Sequence, residues 1–465
     1  MAEPIVHRQL TPETDETFGL DAAFVEEVAA GLRSDNRDRV RELVADLHYA
    51  DMADLLERLD AEDRRLLVET VRDNFNPDVL PELAEEVRDE VMNALGFEDF
   101  AAALSELDSD DAVYVASKLT TEERAQVVAR MPQAERLMIE QGLAYAEDSA
   151  GRLMQREFVA VPNYWTVGET IDYMRAVQNL PEKFYAVFVV DARNRPQGLV
   201  ELSRLLRAKR PERMRDLFDE DVETIALDQD KEDVAFLFKQ RNLDSAPVVD
   251  KSGRLVGQIT IDDIVDVIEE EAEEDILKMA GVGNADVSSL YSAIIRTAMS
   301  RIPWLAINLV TAFLAASVVG LYEDSIAKLA ALAVLMPIVA GMGGNAGTQA
   351  LATAVRALAT RELNASNALR VTSRELLVGL INGFLFAGVV GAIAYFWFQN
   401  EFLAIAIAAA MLINLTVAGF AGIMIPLTLN KLGVDPASAA GVFLTAMTDI
   451  VGFFTFLGLA TLIVL

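Results

Sequence analysis

Cysteine is absent from all 465 residues, and histidine occurs only at His7 and His48. The first absence excludes a disulfide framework and any thiolate metal site. The second, with no nucleophile–base arrangement and no Walker loop, argues against an enzyme. Positive charge is scarce: 40 Lys and Arg face 72 Asp and Glu, a net charge of −32. Such acidity speaks against nucleic acid and anionic lipid head groups as partners and suits the binding of cations. Residues 1–20 hold no apolar run, so no secretory signal is expected there.

What is present is unevenly spread. From Arg301 onward seven bases (Arg301, Lys328, Arg356, Arg361, Arg370, Arg374, Lys431) balance seven acids (Glu323, Asp324, Glu362, Glu375, Glu401, Asp435, Asp449). Residues 1–300 therefore hold 33 bases against 65 acids, the whole deficit. A neutral apolar third behind an acidic two-thirds predicts an integral membrane protein with a large water-exposed module, seated in membrane lipid. A helix needs about 20 apolar residues to cross a bilayer. Five stretches qualify, at 302–322, 326–347, 375–397, 402–430 and 437–463. Loop arginines favour the cytoplasmic side. Arg296 and Arg301 precede the first span, four arginines lie between the second and third, and Lys431 follows the fourth. The N-terminal part is thus expected in the cytoplasm, with the first span as insertion signal, and the C-terminus outside.

Two features inside the spans point to a polar route. Pro337-Ile-Val-Ala-Gly-Met-Gly-Gly-Asn-Ala-Gly-Thr-Gln349 puts four glycines, a proline and an Asn/Thr/Gln trio into the second. Backbone freed at membrane depth has to face protein or water. Close packing of small residues is the alternative, but the whole run reads best as a pore or substrate segment. Asp449 lies about 18 Å into the fifth span, near mid-bilayer. An aspartate there costs about 2.5–3.5 kcal/mol and is expected to face water, an ion or a partner. A protonated Asp449 bonded to Thr445 or Asn414 is the structural alternative.

The acidic part reads in three pieces. Residues 20–135 are helical, with an echo at an offset of 60 in which Leu59, Glu62 and Arg64 meet Leu119, Glu122 and Arg124. Repeated helical pairs predict a superhelical stack; chance likeness of amphipathic helices is the alternative. Over 140–262 a second repeat is clearer. Val189-Val-Asp191 and Gly198-Leu-Val200 recur as Val248-Val-Asp250 and Gly257-Gln-Ile259, both at an offset of 59. Glu169-Thr-Ile171 recurs as Glu232-Asp-Val234 after four extra residues in the first copy, between Gln178 and Asp191. Each copy reads as strand, helix, strand, turn, strand, helix, and the pair resembles tandem CBS modules, which bind ligands between their copies. Gly257, Thr260 and Asp263 match the ribose-contact pattern G-x-x-[ST]-x-x-D, implying a nucleotide such as ATP at one site. Glu201 and Arg204 break that pattern in the first copy.

Over 263–298 a connecting helix follows, with an apolar stripe (Ile264, Val265, Ile268, Ala272, Ile276) and seven carboxylates between 266 and 275. Glu271, Glu274 and Asp275 share one face, where like charges cost about 0.2–0.5 kcal/mol per pair. Lys278 is the only nearby cation. A solvated face is the bland reading; at the entrance to a membrane domain, a hard divalent cation on carboxylate oxygens is the sharper one.

From about residue 20 to the end the chain resembles the MgtE-type magnesium channels. The resemblance is carried by His48-Tyr-Ala-Asp-Met-Ala-Asp-Leu-Leu56, Glu147-Asp-Ser-Ala-Gly-Arg-Leu-Met154 and Arg301-Ile-Pro-Trp-Leu305. Pro337, Gly343-Gly-Asn-Ala-Gly-Thr-Gln349, Gly433-Val-Asp-Pro-Ala437 and Thr448-Asp-Ile-Val-Gly452 complete it. It implies a multidomain membrane protein: an all-α superhelical domain, an α/β CBS pair, a long connecting helix and a five-helix transmembrane domain at 301–465. It further implies a homodimer in the cell membrane with one pore between the second and fifth spans. Pro337, Gly343, Gly344, Asn345, Gly347 and Thr448 would line that pore, and Asp449 would hold hydrated Mg²⁺. Mg²⁺ on Asp230, Glu232, Asp263, Glu271, Glu274, Asp275 and Asp435 would close it. The chain departs from the family at Ala440-Gly-Val442, where a small polar residue and a proline are usual, so no kink is expected in the fifth helix. An ion-coupled transporter and a membrane-tethered nucleotide sensor are the rival readings.

Overall fold

A computed structural model describes residues 19–177, 180–181, 183–218, 222–282, 294–364 and 366–464. His7, residues 178, 179 and 182 of the first copy's extra stretch, and 283–293 of the connecting segment lie outside them. The chain forms two compact units, divided between Val265 and Asp266.

In the first unit, short helices run from Ala22 to Leu143. Their starts are written in the sequence: Asp21 and Asp60 accept hydrogen bonds from backbone amides of the first turn, and Thr120 with Glu123 forms a capping box. The echo at an offset of 60 is structural. Helices Tyr49–Arg58 and Ser109–Lys118 both end in a buried extended leucine, Leu59 (φ −74°, ψ 149°) and Leu119 (φ −74°, ψ 147°). Helices Ala61–Val71 and Thr121–Val128 follow. One continuous core runs through the stack, including Val28, Leu55, Leu67, Val91, Leu104 and Ile139. Arg64 is buried, and its guanidinium donates to the carbonyls of Leu56 and Leu59 at the helix end and pairs with Glu90.

The second repeat builds two matching sheets. Strands β1 (Ala160–Pro162), β2 (Ala186–Val190) and β3 (Pro196–Glu201) form one; β4 (Ile225–Ala226), β5 (Ser245–Val249) and β6 (Leu255–Thr260) form the other. In each the first pair is parallel and the second antiparallel. Irregularities fall at equivalent places, Val189/Val190 and Val248/Val249. The turns match too. Asp191 accepts from the amides of Arg193 and Arg195, and Asp250 from those of Ser252 and Arg254. Asn194 (φ 61°) and Gly253 (φ 77°) take the left-handed position, which favours these two residue types.

Among its described residues the second unit has five helices long and apolar enough to cross a membrane: Ala298–Gly320, Ala331–Ala359, Ala368–Phe398, Glu401–Lys431 and Pro436–Ile463, the first to fifth spans. A short helix, Glu323–Lys328, precedes the second span, which moves its start from 326 to 331. That span continues through Pro337 and all four glycines to Ala359. The backbone is therefore not broken where Pro and Gly suggested it, because an unbroken helix satisfies its own carbonyls. The fifth helix is also continuous. The fourth span is the hub, 56% buried against 6% for the first. Gly379, Gly383 and Gly391 let the third span approach its backbone: Cβ atoms there would stand 2.7, 3.1 and 3.3 Å from carbonyl oxygens of Leu415, Leu412 and Ala404.

Candidate ion route and regulatory sites

Asp449 is half-buried on the fifth span. It borders a recess of about 350 Å³ whose polar lining is Asn308 and Thr311 of the first span and Thr445 and Asp449 of the fifth. No described residue is hydrogen-bonded to its carboxylate or paired with it. The hydroxyl of Thr445 donates to Gly441 O, and the Asn414 amide to Val339 O. Neither of the groups expected to bond a protonated Asp449 does so. Asn308 and Thr311 escaped the sequence reading because a lone Asn and Thr in an apolar helix carry no spacing signal.

The glycine-rich stretch divides in two. Pro337 and Asn345 are exposed and Gly344 is half-buried, with nothing within 4 Å of a Cβ placed on it. Gly343, Gly347 and Thr448 face into the same chain, a correction to the expectation that they line a pore. A Cβ at Gly343 would meet the Asn414 amide at 2.2 Å, and one at Gly347 the Leu444 side chain at 3.0 Å. Thr448 is fully buried, and its hydroxyl donates to Leu444 O and Thr445 O. At Gly343 and Gly347 the helices pack closely, as the alternative reading of the glycine run supposed.

The connecting helix runs over Ile261–Met279. Glu271, Glu274 and Asp275 are half-buried, whereas Val265, Ile268 and Ile276 of the apolar stripe are exposed. Lys278 Nζ lies 2.6 Å from Glu274 Oε1 and 3.1 Å from Asp435 Oδ2. The acidic face therefore has a resident cation, and Asp435, which caps the fifth helix through Ala437 N, shares it. Burial raises the Asp275 carboxyl, and the Asp435 charge adds to this. Burial lowers the Lys278 ammonium, but its bonds to Glu274 and Asp435 outweigh that and raise it.

In the first unit Asp263 accepts from Thr260 N and Oγ1 at 3.3 and 2.9 Å and is hydrogen-bonded to Asp110. Burial, then the neighbouring acids, pushes Asp110 up to about 6 and Asp111 to about 8, and raises Asp263 well above the usual range. Asp110 is buried, and its Oδ1 has no partner. Such a pair fits a divalent cation, which would supply the charge that protons supply here. Asp230 caps helix Lys231–Arg241 by accepting from Glu232 N at 2.9 Å. Among the described residues no three acids or histidines converge on one point.

Gly257 packs on Gln155 O and Met154 Sδ, each 2.8 Å from a Cβ placed there, and Asp263 is turned to Asp110. An open cleft of about 370 Å³ lies between the copies, bordered by Tyr185, Glu201 and Arg204 of the first and Asn242, Asp244 and Ser245 of the second.

Comparison with known proteins agrees with this layout. Residues 336–459 match the MgtE family of divalent cation transporters, 47–148 the MgtE intracellular N domain, and 150–210 and 214–270 CBS domains. The magnesium transporter MgtE of Bacillus subtilis is 30% identical over 90% of this chain and 93% of its own length. The chain belongs to the MgtE family. The MgtE magnesium transporter of Thermus thermophilus is likewise 30% identical, over 91% of this chain and 95% of its own. A solved structure, the cytosolic domain of the Mg²⁺ channel MgtE in complex with ATP, is 29% identical over 51% of this chain and 99% of that one, with a TM-score of 0.47. Against these MgtE relatives, the fold order expected from the sequence stands: helical domain, CBS pair, then five apolar helices.

Proposed function

We propose that this MgtE-family protein is a homodimeric Mg²⁺ channel of the cell membrane that cytoplasmic Mg²⁺ closes. The observation that carries the reading is Asp449, an unpaired carboxylate halfway along a span, beside a recess with amide and hydroxyl groups. Mg²⁺ gives up its water reluctantly, so Asp449 and its polar neighbours would hold the ion through its hydration shell. A proton- or sodium-coupled transporter needs further ionisable groups at that depth, and Asp449 is the only acid in the apolar part of any span.

Closure is assigned to the carboxylates of 1–300 and Asp435. Asp110 with Asp263, Asp230 with Glu232, and the Glu271/Glu274/Asp275 face with Asp435 would each take an ion once another part of the dimer completes the set. Shifting a two-state balance from 1:99 to 99:1 takes about 5.5 kcal/mol of differential binding, which several weak sites supply jointly. The cleft at Glu201 and Arg204 is assigned to a nucleotide such as ATP. The loop arginines favour residues 20–298 on the cytoplasmic side and the C-terminus outside.

Single-channel recording of the purified chain in liposomes, with Mg²⁺ varied on each side, tests the proposal. Asp449→Asn keeps size and removes the charge; Mg²⁺ conductance or its selectivity over monovalent ions is expected to fall. Unchanged conductance and selectivity would overturn the route.

A further inference from the structure

Asn414, midway along the fourth span, is fully buried. It contributes nothing to the recess at Asp449. Its Nδ2 donates to Val339 O of the second span at 2.9 Å, and its Oδ1 has no partner. An amide in apolar surroundings is costly unless both ends are paired. Here one end is left open, so hydrogen bonding alone does not account for the residue.

Its neighbours do. A Cβ on Gly343 would fall 2.2 Å from Nδ2, and a Cβ on Gly452 2.8 Å from the same atom. Two glycines on different helices therefore leave room for one amide. Gly343 opens the Gly-Gly-Asn stretch of the second span, and Gly452 stands three residues after Asp449, close to one turn along the fifth.

We propose that Asn414 is a positioning residue for the ion route: wedged between Gly343 and Gly452, its amide sets the separation of the second and fifth spans and thereby the place of Asp449. The inference rests on the reading of those spans as the route's walls. Packed interiors shift between discrete arrangements rather than stretching smoothly. A change of one side chain at the wedge is therefore felt at the carboxylate one turn away.

A size swap read by reversal potential tests it. The purified full chain is placed in liposomes with Mg²⁺ on one side and K⁺ on the other. Asn414→Ala is expected to move the reversal potential toward K⁺ and to lower Mg²⁺ flux about tenfold, the coupling typical of residues in contact. Gly343→Ala alone drives a methyl into the amide and is expected to lose flux. Combined with Asn414→Ala it regains flux, because the space has been vacated. An unmoved reversal potential in Asn414→Ala, or strictly additive losses in the pair, overturns the proposal. Should Asn414→Ala not fold, Asn414→Ser takes its place; failure of both assigns Asn414 to folding alone and also overturns it. Asp449→Asn run alongside separates the two readings. If it is silent, the route fails and the wedge with it. If it is effective while the Asn414 variants match wild type, only the wedge fails.

Discussion

On the proposed gating, Lys278 is placed to compete with the ion that would close the channel. Its ammonium bridges Glu274 and Asp435, so the group of Glu271, Glu274, Asp275 and Asp435 carries four acids and one base. A divalent ion entering there has to share or displace the ammonium. Lys278→Gln makes the net charge of the group more negative, from −3 to −4. The side chains are 28%, 35% and 39% exposed for Lys278, Glu274 and Asp435, so each ion pair is discounted to about 0.5–0.7 kcal/mol. Together the two amount to about 1–1.4 kcal/mol, a five- to tenfold change in ion affinity. The expected outcome is closure at five- to tenfold lower cytoplasmic Mg²⁺, read from patch-clamp dose–response curves, with Lys278→Arg close to wild type. Replacing Glu271, Glu274 and Asp275 together by Ala removes the ligands and is expected to shift closure the other way. A Lys278→Gln curve that is unshifted, or shifted to higher Mg²⁺, refutes the competition and makes the ammonium part of the latch itself.

Proton linkage gives a second expectation. Asp110, Asp111 and Asp263 titrate higher folded than unfolded, so the folded state holds protons that the unfolded state releases. Their contribution to stability is then lost as pH rises from about 4 toward 8. Mg²⁺ binding should expel these protons and tighten as pH rises from 6 to 8; calorimetry in buffers of different ionisation enthalpy showing no proton release would contradict this. At the cleft, Arg204→Ala should weaken nucleotide binding while Thr260→Val leaves it unchanged, as equilibrium dialysis with ATP would measure. In the membrane unit, Gly419→Ala puts a Cβ 2.7 Å from Glu375 O and should cost about 1–3 kcal/mol. Gly388→Ala meets open space and should be neutral or gain up to about 1 kcal/mol. Thermal unfolding in detergent compares the two.

The sequence carried the architecture wherever the signal was periodic. Five apolar runs, a helical echo at 60 and a strand repeat at 59 each recur in the structure, because hydropathy and turn chemistry are local. What it hid was pairing at long range. Lys278 meets Asp435, and Asp110 meets Asp263, through the tertiary fold, and neither partner is marked by spacing. The glycine stretch misled for a related reason. A glycine read alone suggests a loosened backbone, whereas the void at Gly343 is the imprint of Asn414 on another helix. The ribose pattern at Gly257, Thr260 and Asp263 was legible as a pattern, but packing against Gln155, Met154 and Asp110 had taken its face.

The two CBS copies share strand order, irregularity and turn, yet their equivalent faces have diverged. One holds Asp263 against Asp110; the other turns Glu201 and Arg204 to the cleft between the copies, the place proposed for a nucleotide. On the proposed reading, a duplicated module would act as a two-input gauge. Any free energy by which the nucleotide alters cation affinity must be returned in full when the cation alters nucleotide affinity. Cellular energy charge and ion supply would then be weighed on a single scale, each shifting the point at which the other is read.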